Sequence, residues 1–352
     1  MKVFLYSGMQ KMIEKSGVGR AIYHQRSAAE KNGMTLVKSL DEAEVVHINT
    51  VFPKSLWVAR QARKKGIAVV YHAHSTMEDF KNSFYGSNRF NKLFGKWIKI
   101  CYNAGDLIVT PTTYAKGLLQ SYGIEKKIEV ISNGIDLMYY NKQNVDGSQF
   151  REKFGYLETD KIIMSVGLTI DRKGVLDFVE LARRMPNYKF IWFGATNLNT
   201  VPSKIREAVN TDLPNLKFAG YAQKDQLREA YAECDLFLFP SKEETEGIVV
   251  LEALGMKIPV LLRDIPVYQD WLLADQQVYK AQNIEEFEEK AQKILDGQLP
   301  RLEDAGYQVV VERSLDKVGK KLAYIYQEAI ALSRVALNKN WNVGRKGHEQ
   351  SH

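Results

Sequence analysis

Short runs of β-branched and aromatic residues alternate with helical segments along this chain, and the alternation runs through twice. Nothing else constrains the fold as tightly. A strand, a crossover helix and a second strand make a parallel pair, and a series of such units winds into a sheet covered on both faces. The first series predicts strands at Lys2–Tyr6, Thr35–Val37, Val45–Ile48, Ala68–Tyr71, Leu107–Thr110 and Ile128–Ile131. Helices fall at Gly19–Asn32, Ser55–Lys65 and Arg89–Asn103. The second series predicts strands at Lys161–Val166, Lys189–Phe193, Leu216–Ala219, Leu236–Phe239 and Pro259–Leu262. Its helices fall at Gly174–Arg184, Lys224–Ala232, Gly247–Leu254 and Ile284–Asp296.

A chain of 352 residues exceeds what one core usually holds, so two series imply two domains. The series pauses at Asn133-Gly-Ile-Asp136 and at the polar stretch Asn141–Gln149. The expected domains are therefore 1–140 and 141–313. An amphipathic helix follows over 314–334, centred on Leu315–Ser333, and 335–352 reads as a disordered tail. Two doubly wound sheets predict a ligand cleft at the carboxyl ends of the strands. Two cysteines, Cys101 and Cys234, cannot build a disulfide framework, which points to a reducing cytoplasm. Met1–Gly8 reads as a first strand entering a turn, not a signal peptide, and no window has the length of a membrane span.

Three motifs carry chemistry. Ser16-Gly17-Val18-Gly19-Arg20 follows the first strand and opens a helix, where glycines admit a ligand and free N–H groups suit an anion. It lacks the third glycine of the dinucleotide fingerprint, since position 22 is Ile22; a nicotinamide-dependent dehydrogenase is disfavoured, and a plain tight turn is the other reading. Val166-Gly-Leu-Thr-Ile-Asp-Arg-Lys-Gly174 sets Arg172 and Lys173 beside a helix start, two cations suited to a diphosphate. Pro240-Ser-Lys-Glu-Glu-Thr-Glu-Gly247 leads into an apolar helix with an isolated Glu252. Glu244 can meet a sugar while Glu252 accepts from ribose hydroxyls, and the N–H groups of Gly247, Ile248 and Val249 would face phosphate oxygens.

The Glu244–Glu252 spacing, followed by Ala-Leu-Gly-Met-Lys-Ile-Pro-Val260, resembles the signature of family 4 retaining glycosyltransferases of the GT-B fold. Val130-Ile-Ser-Asn-Gly-Ile-Asp136 resembles that family's hinge motif, and Phe218-Ala-Gly-Tyr221 and Ala232–Ser241 follow in the expected order. The resemblance covers Met1 to about Ile330. It implies two Rossmann-like domains facing a cleft, with the last helix crossing back to the first. It also implies Glu244 and His74 at the reacting sugar, with His72 as the alternative histidine. Lys173 matches the family directly; Leu168 stands where the family usually has an arginine, so Arg172 is the expected second cation.

The same resemblance implies transfer of galactose or glucose from UDP-galactose or UDP-glucose, with retention and without a cofactor. No Asp-x-Asp occurs, so a metal-held donor is not expected. Residues 1–145 carry 21 Lys and Arg against 11 Asp and Glu, while the rest carry 28 against 31, so the first half should face something anionic. Phe90, Leu93, Phe94, Trp97 and Cys101 recur at helical spacing with Lys92, Lys96 and Lys99 between them. Such a helix either lies on an anionic membrane surface or turns a stripe to the core. The chain resembles Gram-positive synthases that glycosylate diacylglycerol or monoglucosyl-diacylglycerol, above all the branch adding the second sugar. The implied acceptor is thus a glycolipid on the inner face of the cell membrane, with a soluble or polyprenyl-linked saccharide as the alternative. A basic nucleic-acid binder would leave the glutamate pair unexplained, so no nucleic acid is expected.

Overall fold

A computed structural model of the chain describes residues 1–9, 13, 16–81, 83 and 87–349, with side chains described as far as residue 336. The chain divides into two compact units. Unit 1 comprises Met1–Thr76, Lys92–Gly134 and Leu315–His352, and unit 2 comprises Met77–Asn91 and Ile135–Ser314. The change of unit falls at Gly134, inside the Asn133–Asp136 motif and ahead of the 140/141 boundary read from the sequence.

Unit 1 is built on six parallel strands: β1 (Lys2–Tyr6), β2 (Thr35–Leu36), β3 (Val45–Ile48), β4 (Ala68–His72), β5 (Leu107–Thr110) and β6 (Ile128–Val130). Their order is β2-β1-β3-β4-β5-β6. Every residue of β3, β4 and β5 is buried, as expected for strands covered on both faces. The crossovers include α1 (Gly17–Lys31), α2 (Pro53–Lys64), the one-turn α3 (Met77–Phe80), α4 (Ser87–Asn103) and α5 (Thr113–Ser121). Residues 77–91, which hold α3 and the first turn of α4, group with unit 2.

Unit 2 repeats the plan with β7 (Ile162–Val166), β8 (Lys189–Phe193), β9 (Leu216–Gly220), β10 (Leu236–Phe239), β11 (Val260–Arg263) and β12 (Tyr279–Ala281). These are again all parallel, in the order β12-β11-β10-β7-β8-β9. Its helices are α6 (Ser148–Phe154), α7 (Val175–Arg184), α8 (Ser203–Val209), α9 (Lys224–Glu233), α10 (Ile248–Gly255), α11 (Ile284–Leu295) and α12 (Glu303–Val311). On α7 the buried residues Val175, Phe178, Val179, Leu181 and Ala182 repeat at helical spacing, and Phe178 packs edge-on against Phe190 and Trp192 of β8. The polar stretch 141–149 is not a linker, since it holds a 3-10 turn and the start of α6.

The last helix, α13 (Leu315–Glu349), runs well past the Ser333 end and across most of the tail expected to be disordered. Residues 350–352 of that tail lie outside the described residues. Leu315, Val318, Leu322, Ile325, Tyr326 and Ala329 are buried in one cluster with Val3, Ala28, Val45, Val70 and Leu107. This late helix thereby completes the core of unit 1, against α1 and β4.

Candidate active site

In unit 2 the two motif loops are fastened to each other. After β7 the chain makes a 3-10 turn over Asp171–Lys173 and enters α7 through Gly174, which has φ +77°. A Cβ there would lie 2.2 Å from the Pro240 carbonyl oxygen, so only glycine lets this turn rest on the end of β10. The Lys242 N–H donates to the Arg172 carbonyl at 2.8 Å, and Lys242 Nζ lies 2.8 Å from Asp171 Oδ1. Residues seventy positions apart in sequence thus share one shell.

Within it, Lys173 Nζ forms an ion pair with Glu244 Oε1, and Ser241 Oγ donates to the same oxygen at 2.7 Å. Glu244 is buried and Lys173 half-buried, 5.8 Å from the Phe239 ring centroid. Burial alone would raise the Glu244 pKa, but the Lys173 and Arg172 charges and the two donors outweigh it and hold the carboxyl below its usual range. Burial, with Arg172 nearby, pulls Lys173 below its usual range against the opposing pull of Glu244. Arg172 is committed to protein partners: Nη1 lies 2.6 Å from Asp79 Oδ1 and 2.8 Å from the Glu243 carbonyl, and Nε lies 3.2 Å from Ser83 Oγ.

Glu252 lies on α10, a helix so apolar that Val250, Leu251, Ala253 and Leu254 are buried with it. Tyr140 OH donates to its Oε1 at 2.7 Å and Tyr231 OH to its Oε2 at 3.1 Å. Two phenols therefore hold the isolated carboxylate. Gly247 caps α10 in a left-handed conformation, and the Val250 N–H turns back to the Gly247 carbonyl at 2.9 Å. Ile248 and Val249 follow in the first turn, where N–H groups lack a carbonyl one turn earlier. The buried Tyr268 hydroxyl points toward Gly247, which a Cβ would bring to 2.8 Å. Burial pushes that phenol well up, reinforced by Glu244, Glu246 and Glu243.

The remaining expected residues lie in unit 1. Ser16 caps α1 and accepts from the Gly19 N–H at 3.3 Å, so that donor is engaged within the turn. Gly17 has open space where a side chain would be. Neither glycine belongs to the unit that holds Arg172, Lys173 and Gly247. His74 follows β4 and is buried among polar neighbours, with Nε2 2.9 Å from Asn49 Oδ1 and its ring stacked on His72 at 3.8 Å. Burial lowers the His74 pKa to about 3.

Helix α4 has one buried face and one exposed basic face. Ile98, Cys101 and Tyr102 are buried and Trp97 Nε1 donates to the Val51 carbonyl at 2.6 Å, while Phe90, Leu93 and Ile100 are exposed among Lys92, Lys96 and Lys99. Beside it, a groove of about 640 Å³ is lined by Leu56, Arg60, Arg63, Lys96, Lys99 and Ile100. Trp57, 57% exposed on α2, lines a second groove that shares Arg60 and Arg63. Among the described residues no helix is long and apolar enough to cross a membrane.

Sequence reasoning did not single out Asp79, Tyr140, Tyr231, Ser241 or Tyr268. Only Ser241 had a signal, its place three residues before Glu244.

Residues 16–139 match the model of glycosyltransferase family 4, and residues 146–309 match that of glycosyl transferases group 1. The chain is 40% identical, over 95% of its length and all of the relative's, to a processive diacylglycerol alpha-glucosyltransferase of Acholeplasma laidlawii. It is 26% identical, over 72% of its length and 69% of the relative's, to an alpha-galactosylglucosyldiacylglycerol synthase of Streptococcus pneumoniae. Among solved structures it resembles sucrose-phosphate synthase from Thermosynechococcus elongatus, with TM-score 0.79 and 14% identity over 94% of this chain and 99% of that one. It also resembles Anabaena Alr3699/HepE in complex with UDP-glucose, with TM-score 0.70 and 16% identity over 93% of this chain and 99% of that one. Those two likenesses concern the fold.

Proposed function

This chain belongs to the family 4, group 1 glycosyltransferases of the GT-B fold, and on that premise we propose that it transfers glucose or galactose from a UDP-sugar to a membrane glycolipid, monoglucosyl-diacylglycerol or diacylglycerol. The observation that carries the reading is the 40% identity, over 95% of this chain and all of the relative, to an enzyme named for acting on diacylglycerol. The likeness in fold to a structure solved with UDP-glucose, together with the Lys173–Glu244 shell, supports the donor side.

The UDP diphosphate displaces Glu244 from Lys173, so the ammonium meets the phosphates together with the N–H groups of Gly247, Ile248 and Val249. Arg172 strengthens the positive field from its place against Asp79. Glu244, released, accepts hydroxyls of the sugar, and Glu252, oriented by Tyr140 and Tyr231, accepts from the ribose hydroxyls. Gly17 and Gly19 line the acceptor-side approach to the phosphates, and His74 meets the reacting sugar. The sugar C1–O bond to UDP breaks, a new C1–O bond to the acceptor forms on the same face, and the acceptor proton leaves on the UDP phosphate. The anomeric configuration is retained. The charge on the leaving group is met by Lys173 and α10, with no metal required. The α2 and α4 surface, with Trp57, Phe90, Leu93 and its lysines, rests on the anionic inner face of the cell membrane.

The test is transfer from radiolabelled UDP-glucose and UDP-galactose to vesicles containing diacylglycerol or monoglucosyl-diacylglycerol, with EDTA present. Label entering the lipid as an α-glycoside is expected, and the better donor names the sugar. Label confined to water-soluble products would sink the lipid acceptor, and loss of transfer with EDTA would sink metal independence.

A further inference from the structure

His74 is one end of a buried hydrogen-bonded chain whose direction can be followed bond by bond. The Asn49 amide oxygen can only accept, and His74 Nε2 lies 2.9 Å from it, so His74 carries its proton on Nε2. The same oxygen accepts from Gln25 Nε2 at 2.9 Å. The other proton of that amide goes to His72 Nδ1, also at 2.9 Å, which marks this nitrogen as unprotonated. His47 Nε2 lies 3.1 Å from His72 Nδ1 and must be the donor there. His47 Nδ1 is left as an acceptor, and Tyr326 OH donates to it at 2.7 Å. All three imidazoles are thereby Nε2–H tautomers. Burial keeps them neutral, holding His47 and His74 to about 3 and His72 well below its ordinary value. The His72 ring, 7° from parallel to that of His74, fixes the plane in which His74 can point.

We infer that Asn49, oriented by Gln25, is a positioning residue that fixes His74 as the Nε2–H tautomer, so that the nitrogen His74 offers to substrate, Nδ1, is a hydrogen-bond acceptor. Its complement is a hydroxyl of the sugar or of the acceptor. A phosphate oxygen, itself an acceptor, is excluded at that atom. The inference rests on His74 meeting substrate as proposed above. It adds the atom, the proton and the residues that set them. Gln25 fixes the direction from α1 and Tyr326 fixes it from α13.

The experiment is long-range proton–nitrogen NMR of the full chain near pH 7.5, paired with turnover and UDP binding. Six histidines give a tractable spectrum, and His74→Ala assigns the signal. In the wild type, His74 should show a protonated Nε2 and a bare Nδ1. Asn49→Leu should replace that pattern with a tautomer mixture and lower kcat on the order of tenfold or more, leaving UDP affinity within about twofold. A wild-type His74 protonated on Nδ1 would mean that the chain runs the other way and overturns the inference. So would Asn49→Leu with the tautomer unchanged, or with the tautomer lost and turnover intact. The wild-type spectrum decides even where Asn49→Leu does not fold. Full turnover in His74→Ala would strike the premise about His74 instead, leaving the tautomer assignment standing.

Discussion

At the scale of single residues, the unit 2 site is dominated by an ion pair between two groups that are both proposed to meet the donor. Glu244 is buried and Lys173 largely so, and each is the other's charge partner. Removing one partner of such a pair strands a buried charge, which typically destabilises by about 3–5 kcal/mol, whereas replacing both with neutral groups is close to neutral. Lys173→Met and Glu244→Gln should therefore each lower Tm, and the double variant should recover most of the loss while transferring no sugar above a percent or so. Melting curves beside turnover check this; a double variant as unstable as the singles would contradict the pairing. Both residues were legible from sequence, because motif spacing marks a loop and a helix start. Asp79, Tyr140 and Tyr231 were not. Their meaning comes from contacts with Arg172 and Glu252 that lie 21 positions away for Tyr231, 93 for Asp79 and 112 for Tyr140, and no local pattern encodes those.

At the scale of elements, eleven strands were legible because buried parallel strands are continuous apolar runs. The strand that was missed, β12, is three residues long and contains Lys280, which is buried and pairs with Asp264. The missed helices α3, α5, α6, α8 and α12 have four to nine residues, too short for periodicity to speak. Local caps hold α5 instead, with Thr112 Oγ1 accepting from the Ala115 N–H at 3.2 Å. For α4 the periodicity was clear but ambiguous, since one helix satisfies both a core stripe and an exposed basic face. Reversing Lys92, Lys96 and Lys99 to Glu changes only exposed positions, so the fold should hold. At roughly 1 kcal/mol per lysine near an anionic surface, vesicle binding should fall on the order of a hundredfold or more. UDP binding, proposed above for unit 2, should stay unchanged. Sedimentation with anionic vesicles and calorimetry with UDP separate the two, and equal losses would contradict the assignment.

At the scale of the whole molecule, the histidine chain ties stability to pH. Unfolded, these rings titrate near their ordinary 6.5, while in the fold His47 and His74 titrate near 3. Between those values the unfolded chain binds the protons, so the stabilisation is complete above about pH 6.5 and drains away as the pH falls toward 3. Each buried ring removes about 1.4 kcal/mol per pH unit in that window. Denaturant unfolding at pH 7.5 and 5.5 should show the loss, and Tyr326→Phe should leave its slope with pH intact because the rings remain buried. The division of the chain has a different consequence, one of timing. Unit 2 is nearly contiguous, from Ile135 to Ser314, with one early piece at Met77–Asn91. The unit 1 core instead gathers Val3 and Val45 with Leu322 and Ile325. A ribosome delivers these in order, and domains ordinarily fold in the order they emerge. Here the half that begins first must wait for the last helix, so the nascent chain carries an open β-sheet through most of its synthesis and closes it only when α13 leaves the exit tunnel.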